Sequence, residues 1–283
     1  MIKDILKGAV MGIANIIPGV SGGTMAVSMG IYDKIIHAVT HLFSEFKKSL
    51  KTLVPIGIGI VLAIVVVARL IEYMFRMIPF ETNLLFIGLI LGGLPAMAKK
   101  VKGSRLKPGH IIACLLFFAL VVGCASLEGN VGSDADLSFG FLNVLKLFGV
   151  GIIASATMVV PGVSGSMILL LLGYYNPIIE NINAFIRALT SFDVDGILKG
   201  FGVLVPFGIG VVVGIFAIAK LIEIIFAKFP LYAFWAIIGL IVASPIAIVL
   251  MNLGSFANVT ILAVIAGVIT LPLGFFIAMK LGE

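Results

Sequence analysis

The chain carries the same short helix-breaking motif twice, each time inside a long apolar stretch. Residues 16–22 read IIPGVSG and residues 159–165 read VVPGVSG, which agree at five of seven positions. The likeness extends further, because residues 53–60, LVPIGIGI, and residues 204–211, LVPFGIGV, agree at six of eight. The sequence is therefore two copies of one unit, and internal duplication of this kind constrains the architecture more strongly than any local propensity.

The composition places both copies in a membrane. Of the 283 residues, 61% are hydrophobic and only 11% are charged, whereas about a quarter of the residues in a soluble domain are charged. This excludes a soluble globular domain, a disordered chain and a disulfide-rich secreted module. We expect an all-α polytopic membrane protein whose net charge of +6 lies mainly in cytoplasmic loops and indicates no nucleic-acid partner.

Each copy contains four apolar stretches in the same order, and three of them have about the ~20 residues that a transmembrane helix needs. We assign residues 1–127 to a first repeat with stretches at 8–33, 53–78, 82–98 and 109–127, residues 128–141 to an extracytoplasmic linker, and residues 142–283 to a second repeat with stretches at 150–176, 201–227, 230–252 and 257–280. The 82–98 stretch is short, and we expect it to tilt little or to thin the bilayer.

The first stretch of each repeat differs from the others, because Pro-Gly-Val-Ser-Gly divides it into two arms of about ten residues. A helix of that size is about 15 Å long, half of the ~30 Å hydrocarbon core. This length predicts a re-entrant helical hairpin, which enters the membrane and leaves it on the same side.

The distribution of basic residues favours re-entrant hairpins. With both hairpins re-entrant and the N-terminus in the cytoplasm, 13 of the 19 Lys and Arg residues lie on the cytoplasmic side, in agreement with the positive-inside rule. A first stretch that crossed would put the basic segments 34–51 and 99–107 on opposite sides. Three crossings per repeat is an odd number, so the second repeat is inverted and both termini are cytoplasmic. Inverted repeats are typical of secondary transporters that bind substrate near the midplane.

The turns of the two hairpins combine residue types that bind anions. Pro18 and Pro161 end the first arm, and Ser21 and Ser164 are positioned to cap the second. Backbone N–H groups and hydroxyls at the start of that arm favour negative charge. The candidate binding residues are Gly19, Val20, Ser21, Gly22, Gly23 and Thr24 in the first turn and Gly162, Val163, Ser164, Gly165 and Ser166 in the second. The alternative is that each turn is closed by its own caps and holds no ligand.

Two charged pairs lie within apolar helices at equivalent positions of the repeats. Arg69 and Glu72 correspond to Lys220 and Glu223, each pair at positions i and i+3. Charges inside a membrane are functional candidates, so Arg69 and Lys220 are candidates for holding the anion, with Glu72 or Glu223 carrying a coupling proton. Two alternatives remain, because each pair could neutralise itself as an intrahelical bridge or act as a gate near a membrane face.

The remaining polar residues indicate no cofactor and no metal site. His37, His41 and Glu45 have a spacing compatible with metal ligands on one helix face. They lie in a basic segment, however, and we interpret them as solvated residues at the membrane surface. The third histidine, His110, also lies in a basic loop, which argues against a phosphoryl-transfer enzyme with a histidine nucleophile.

These motifs resemble those of the bacterial and archaeal polyprenyl-phosphate transporters. The resemblance rests on IANIIPGVSGGT at 13–24, on the Tyr32-Asp33-Lys34 that follows and on VVPGVSGSMILLLLGYY at 159–175, and it covers nearly the whole chain. It implies a multi-pass protein of the cytoplasmic membrane, not an enzyme, that returns undecaprenyl phosphate, the lipid carrier of cell-wall precursors, from the outer to the inner leaflet. It also implies that the two motif segments bind the phosphate headgroup.

A carrier or channel for a small anion is the alternative, because it would use the same turn chemistry. A polyprenyl tail stays in lipid, since each buried CH₂ contributes ~0.8 kcal/mol, so a lipid transporter needs a lateral opening that a small-anion pore lacks. Inward movement of one negative charge costs ~2.3 kcal/mol per 100 mV of negative-inside potential. We hypothesise that a proton offsets this cost, carried by Glu72, by Glu223 or by the phosphate itself.

Overall fold

A computed structural model describes residues 2–16, 21–127, 135–138, 140–161, 165–257 and 259–282. These residues form helices joined by turns, with no strand among them. The helices of the first half are α1 (Ile2–Ile16), α2 (Gly22–Ser28), α3 (Tyr32–Thr40), α4 (Phe46–Met77), α5 (Pro79–Leu91), α6 (Leu94–Val101) and α7 (Pro108–Ser126). Those of the second half are α8 (Phe141–Val159), α9 (Gly165–Leu171), α10 (Tyr175–Ser191), α11 (Val194–Lys228), α12 (Pro230–Met251), α13 (Leu253–Phe256) and α14 (Ile261–Gly282).

Six helical segments of the described chain are long and apolar enough to cross a membrane. They are Phe46–Val66, Pro79–Val101, Pro108–Ser126, Val194–Lys228, Pro230–Met251 and Ile261–Gly282. Three belong to each half, as the sequence predicts, and the chain is a multi-pass membrane protein.

The order of the helices repeats once, so that α1 to α5 correspond to α8 to α12 and α7 corresponds to α14. The exception is α6, which corresponds in sequence to the last part of α12. Packing divides the chain differently, into two compact units. One comprises Met1–Ser126, Val160–Val163 and Ala219–Glu283, and the other comprises Leu127–Val159 and Ser164–Ile218. The units are sets of packed helices and the repeats are successive stretches of sequence, so the predicted repeat boundaries stay a prediction.

In the first unit, α1 and α2 form an antiparallel helical hairpin. At its turn the Gly22 amide donates to Asn15 Oδ1 at 2.9 Å, and at its open end Lys7 Nζ donates to the Met29 carbonyl at 3.2 Å. Every residue of α2 is buried, because this helix packs against α5, α6, α12 and α14 as well as α1. The short returning arm therefore lies in the core of the unit.

The two short returning helices, α2 and α9, end in the same way at equivalent glycines. Gly30 follows α2 with φ +66°, and Gly173 follows α9 with φ +74°. Each glycine amide donates to the carbonyl three residues earlier, at 2.9 and 3.0 Å, and the next amide donates to the carbonyl five residues earlier. This is a Schellman turn, whose left-handed residue is most easily a glycine.

Glycines bring α1 and α4 into backbone contact in the first unit. A Cβ added to Gly8 would overlap the carbonyl oxygen of Ile56, and one added to Gly59 would overlap that of Ile5. Gly12, one turn beyond Gly8, likewise lies against the backbone of Ile60. The contacts advance along both helices together, so α1 runs parallel to α4.

The second unit repeats this crossing between α8 and α11. Gly151 lies against the carbonyl of Phe207, and Gly210 lies against that of Phe148. Each of these four residues is the repeat equivalent of one in the α1–α4 contact. The duplication therefore extends from the sequence to the individual backbone contacts.

Two further helix pairs of the first unit each join a helix of the first half to a helix of the second half. α5 packs on α14 and α12 packs on α7, so the fifth helix of each half packs on the last helix of the other half. Along the first pair, Thr270 Oγ1 donates to the Glu81 carbonyl at 3.1 Å, and Gly92 lies against Ala278. Residue numbers rise together, so α5 and α14 are parallel.

The pair formed by α12 and α7 has the same direction. Gly109 lies against the ring of Tyr232, and Gly239 lies against the carbonyl of Cys114. These contacts also advance together along both helices, so α7 and α12 are parallel.

The helix bounds correct several expectations in the first half. The 82–98 stretch is not short, because α5 and α6 together run from Pro79 to Val101. They are separated by a turn at Gly92 and Gly93, where Gly93 packs on Ser28. The hairpin arms are unequal, with 15 residues in α1 and seven in α2. Hydropathy marked only the apolar part of α1, whose charged start is helical as well.

In the second half, α8 begins at Phe141, inside the predicted 128–141 linker, of which residues 128–134 and 139 lie outside the described residues. The returning helix α9 ends at Leu171, short of the predicted limit at 176. It is followed by the 17-residue helix α10, which the apolar stretches did not indicate because only one face of α10 is apolar.

Candidate functional site

The turn between α1 and α2 is the first candidate site. Ser21 caps α2 as predicted, because its backbone is extended and its Oγ accepts from the Thr24 amide at 3.3 Å. The hydroxyls of Ser21 and Thr24 are 3.4 Å apart, and these residues are only 5% and 1% exposed. Gly22 and Gly23 are buried beside them. Gly19 and Val20, which the sequence adds to the site, lie outside the described residues.

Three backbone donors at the start of α2 have partners within the protein. The Gly22 amide donates to Asn15 Oδ1, the Thr24 amide to Ser21 Oγ, and the Met25 amide to the Ser21 carbonyl at 3.2 Å. In this conformation the turn is closed by its own caps. An anion that used the amides of Gly22 and Thr24 would have to displace the side chains of Asn15 and Ser21.

Asn15 is the residue of this turn that sequence reasoning missed. Its side-chain oxygen accepts from the Gly22 amide and thereby caps α2 from the opposite arm of the hairpin. The available signal was a carboxamide in an apolar arm three residues before Pro18. A polar group at that place needs a partner once it leaves water, and the first amides of α2 supply one.

The turn between α8 and α9 is described only in part. Gly165 begins α9 and is buried. The preceding Gly162, Val163 and Ser164 lie outside the described residues, as does the side chain of Ser166. The second anion site therefore stays a prediction.

The charged pair of the second repeat forms a three-membered cluster with a residue from α3. Lys220 Nζ donates to Glu223 Oε2 at 2.6 Å, which is the intrahelical bridge considered from the sequence. Glu223 Oε1 lies 3.3 Å from His41 Nδ1. The carboxylate thus links α11 to the end of α3. The side chains of Arg69 and Glu72, the equivalent pair, lie outside the described ones.

His41, interpreted from the sequence as a solvated residue at the membrane surface, is 31% exposed and also has a partner on another helix. It follows the last residue of α3, stacks on His37 with ring centroids 4.2 Å apart, and contacts Glu223. Glu45 instead pairs with Lys48 at 2.7 Å. The chain turns between α3 and α4, so these residues do not share one helix face. Among the described residues, no group of three His, Cys, Asp or Glu side chains could hold a metal ion.

The open end of the α1–α2 hairpin is also polar. Lys34 Nζ lies 3.4 Å from Asp4 Oδ1, and Tyr32 and Asp33 line a cavity of about 40 Å³ together with Lys100. The segment Tyr32-Asp33-Lys34 that follows the motif therefore lies at the base of the hairpin and not at its turn.

Six spanning segments together with a buried, polar hairpin turn are typical of one class of protein, the multi-pass membrane transporters. The family described as undecaprenyl phosphate translocase-like matches residues 11–261. This match covers most of the chain, which therefore belongs to that family and is a transporter and not an enzyme.

Curated relatives agree with this assignment. A polyprenyl-phosphate transporter of Staphylococcus aureus (strain NCTC 8325 / PS 47) is 30% identical over 283 residues, which cover 99% of this chain and 95% of the relative. A polyprenyl-phosphate transporter of Vibrio cholerae serotype O1 (strain ATCC 39315 / El Tor Inaba N16961) is 31% identical over 199 residues, 65% of this chain and 61% of the relative. No solved structure matches the chain.

Proposed function

We propose that this chain is a flippase that returns polyprenyl phosphate, in bacteria undecaprenyl phosphate, to the cytoplasmic leaflet of the cytoplasmic membrane for reuse in envelope synthesis. The observation that carries the proposal is the polar turn of the α1–α2 hairpin, which buries the hydroxyls of Ser21 and Thr24 among apolar helices. Buried hydroxyls and amides at the start of a helix can exchange hydrogen bonds within the protein for hydrogen bonds to a phosphate. The names of the relatives support the lipid nature of the substrate.

An inverted repeat is the architecture we propose for this function. The parallel packing of α5 with α14 supports it. Successive spanning helices cross the membrane in opposite directions, so α7 runs opposite to α5, and α12 runs opposite to both α11 and α14. Because α14 is parallel to α5, α11 must also run parallel to α5. It therefore runs opposite to α7. The segment from α8 to α10 must then enter and leave on one side. Each repeat would thus cross three times, and the second would be inverted.

The re-entrant form of the first hairpin is supported by the contacts of α1. This helix runs parallel to α4 and beside its first half, with Gly8 against Ile56 and Gly12 against Ile60. α2 then runs back until Met29 lies at the level of Lys7. A helix of 15 residues is about 22 Å long, so the turn would lie inside the ~30 Å hydrocarbon core.

Phosphate binding at both turns, by the two motif segments, is part of the proposal. At the first turn the headgroup would take the amides that Asn15 and Ser21 now cap, together with the hydroxyls of Ser21 and Thr24. This exchange gives the site a closed, self-capped state without substrate and an open state with it. The isoprenoid tail would stay in the bilayer throughout, because withdrawing it costs ~0.8 kcal/mol per CH₂.

We propose Lys220 and Glu223 as a gate that also carries the coupling proton. Their cluster with His41 supports this role, since it joins α3 to α11 in one conformation. When Glu223 takes up a proton it releases Lys220 and His41, and both can then face the phosphate. One proton compensates one negative charge, which removes ~2.3 kcal/mol per 100 mV from the cost of inward transport. Arg69 and Glu72 would form the equivalent pair of the first repeat.

A binding titration tests the proposed substrate. Purified protein is titrated with undecaprenyl phosphate, with undecaprenyl pyrophosphate and with inorganic phosphate, and the series is repeated with the Ser21→Ala/Ser164→Ala variant. We expect tight binding of the lipid monophosphate that the double variant loses. Equal binding of inorganic phosphate, without preference for lipid, would contradict the proposal and favour a small-anion carrier.

A further inference from the structure

The second unit contains a groove between α10 and α11 that the proposed mechanism does not use. These helices are antiparallel and tightly packed near the turn that joins them. A Cβ on Gly196 would contact Ala188, and one on Gly200 would overlap the ring of Phe185. Beyond this contact, Asn181 of α10 and Val203 of α11 line one cavity.

The groove is large enough for the end of a lipid molecule. Its main cavity is about 670 Å³ and is lined by Leu137, Ser138, Asn181, Leu198, Lys199 and Val203. An adjoining cavity of about 390 Å³ shares Asn181 and Lys199 and adds Arg187, Ser191 and Asp193. The main cavity thus combines apolar residues with the cation of Lys199, and the adjoining cavity adds the cation of Arg187 and the carboxylate of Asp193.

Asn181 supplies a second, independent indication of a ligand. It lines both cavities, and its Oδ1 is buried without a hydrogen-bond partner. A buried amide oxygen left without a partner is destabilising. A change of rotamer would bring the carboxamide of Asn181 into the cavities that this residue lines. There its oxygen could accept from a P–OH group and its NH₂ could donate to a P–O⁻ group of a phosphate monoester.

The turn that joins α10 to α11, at the tightly packed end of the groove, is apolar and exposed. Phe192 in this turn is 86% exposed, and Val194 and Leu198 are 66% and 63% exposed. Phe192 has φ +55°, a conformation that is uncommon for an aromatic residue. The turn therefore presents a bulky apolar side chain outward, next to a groove that Leu198 also lines.

We propose that this groove is the loading site where an isoprenoid monophosphate enters from the extracytoplasmic leaflet, with its phosphate between Lys199 and Asn181 and its first isoprene units along Leu198 and Val203. The inference rests on the proposed function and adds a binding site to it. Three carboxylates, those of Asp136, Glu180 and Asp193, line the adjoining cavities together with Arg187. They disfavour a headgroup with more negative charge, such as a pyrophosphate. The site would concentrate the substrate before it reaches the hairpin turns.

Photochemical labelling tests the site directly, using a polyprenyl phosphate with a diazirine next to the phosphate in reconstituted full-length protein. We expect labelling of the segment 198–203, competed by unlabelled undecaprenyl phosphate and not by phosphatidylglycerol. Lys199→Gln should weaken labelling about tenfold, the usual order for a lost charge-assisted hydrogen bond. Lys228→Gln, the same change at the other end of α11, should leave it unaltered.

Transport kinetics separate this inference from the proposed function. In vesicles with the extracytoplasmic side outward, Lys199→Gln and Asn181→Leu should raise the apparent KM for undecaprenyl phosphate about tenfold without changing kcat. Wild-type protein that labels at 198–203 but flips no lipid would overturn the proposed function and keep the site. Labelling that is unchanged in Lys199→Gln, or competed equally by phosphatidylglycerol, would overturn the loading site alone. Melting temperatures check that Asn181→Leu folds, and Lys199→Gln alters only an exposed side chain.

Discussion

Gly59 of α4 lies against the backbone carbonyl of Ile5 in α1, so closely that a Cβ at this position would overlap the oxygen. Gly210 and Phe148 repeat the contact in the other half. The contact sets how close each hairpin comes to the spanning helix beside it. The two glycines of each repeated LVP-x-GIG segment therefore differ in the space around them. A Cβ added to Gly57 or to Gly208 would meet no atom of a neighbouring described residue within 4 Å.

We expect Gly59→Ala and Gly210→Ala to destabilise the protein by about 1–3 kcal/mol, the usual cost of overpacking. Gly57→Ala and Gly208→Ala are matched controls two residues away. They should be neutral or slightly stabilising, since alanine is the better helix former by about 1 kcal/mol. Thermal unfolding in detergent measures both. Equal effects within each pair would contradict the assigned close contacts.

Substitutions at Ser21 distinguish a structural cap from a phosphate ligand. Ser21→Ala should cost about 0.5–2 kcal/mol of stability through the lost N-cap, whereas Ser21→Asn keeps a capping side chain. If the hydroxyl also binds the headgroup, transport falls in both variants although only the first is less stable. Transport that follows stability, and is therefore retained in Ser21→Asn, would assign Ser21 to the fold alone.

The cluster around Glu223 predicts a change in the pH dependence of transport. Glu223→Gln removes the carboxylate that accepts from Lys220 and contacts His41, so a proton can no longer release these groups. We expect flipping that is slower than in the wild type and that no longer changes with pH.

Glu45→Gln is the control for this variant, because Glu45 forms a surface ion pair with Lys48, three residues further along the chain, and such pairs contribute little. It should transport with the pH profile of the wild type. A Glu223→Gln profile that also matches the wild type would show that another group carries the coupling proton.

Single cysteines test the inverted topology. With the native Cys114 and Cys124 replaced by serine, cysteines at Ser44 and Ser104 should react with a membrane-impermeant maleimide from the cytoplasmic side. A cysteine at Ser191 should react from the other side. If the first apolar stretch crossed the membrane, the cysteines introduced at Ser44 and Ser104 would be labelled from opposite sides. That result would disprove the re-entrant hairpin.

The sequence predicted the elements that depend on apolar length and on strong helix breaks. The six spanning segments and the Ser21 cap follow from runs of apolar residues and from Pro-Gly pairs, and both are confirmed. It did not predict α10, because only one face of that helix is apolar and no long apolar run marks it.

Contacts between distant residues could not be predicted in the same way. The Asn15 cap and the meeting of His41 with Glu223 depend on how helices pack, and single residues give little sign of that. The repeat did predict that Gly59 and Gly210 are equivalent, but not that their neighbours Gly57 and Gly208 face open space.

Flipping of undecaprenyl phosphate in proteoliposomes tests the central claim most directly. The lipid is placed in the outer leaflet, and its appearance in the inner leaflet is followed with and without an imposed pH gradient. We predict that the protein moves it much faster than protein-free vesicles do, and faster still when the outside is acidic. A rate equal to that of empty vesicles, in protein that does transport inorganic phosphate, would contradict the account.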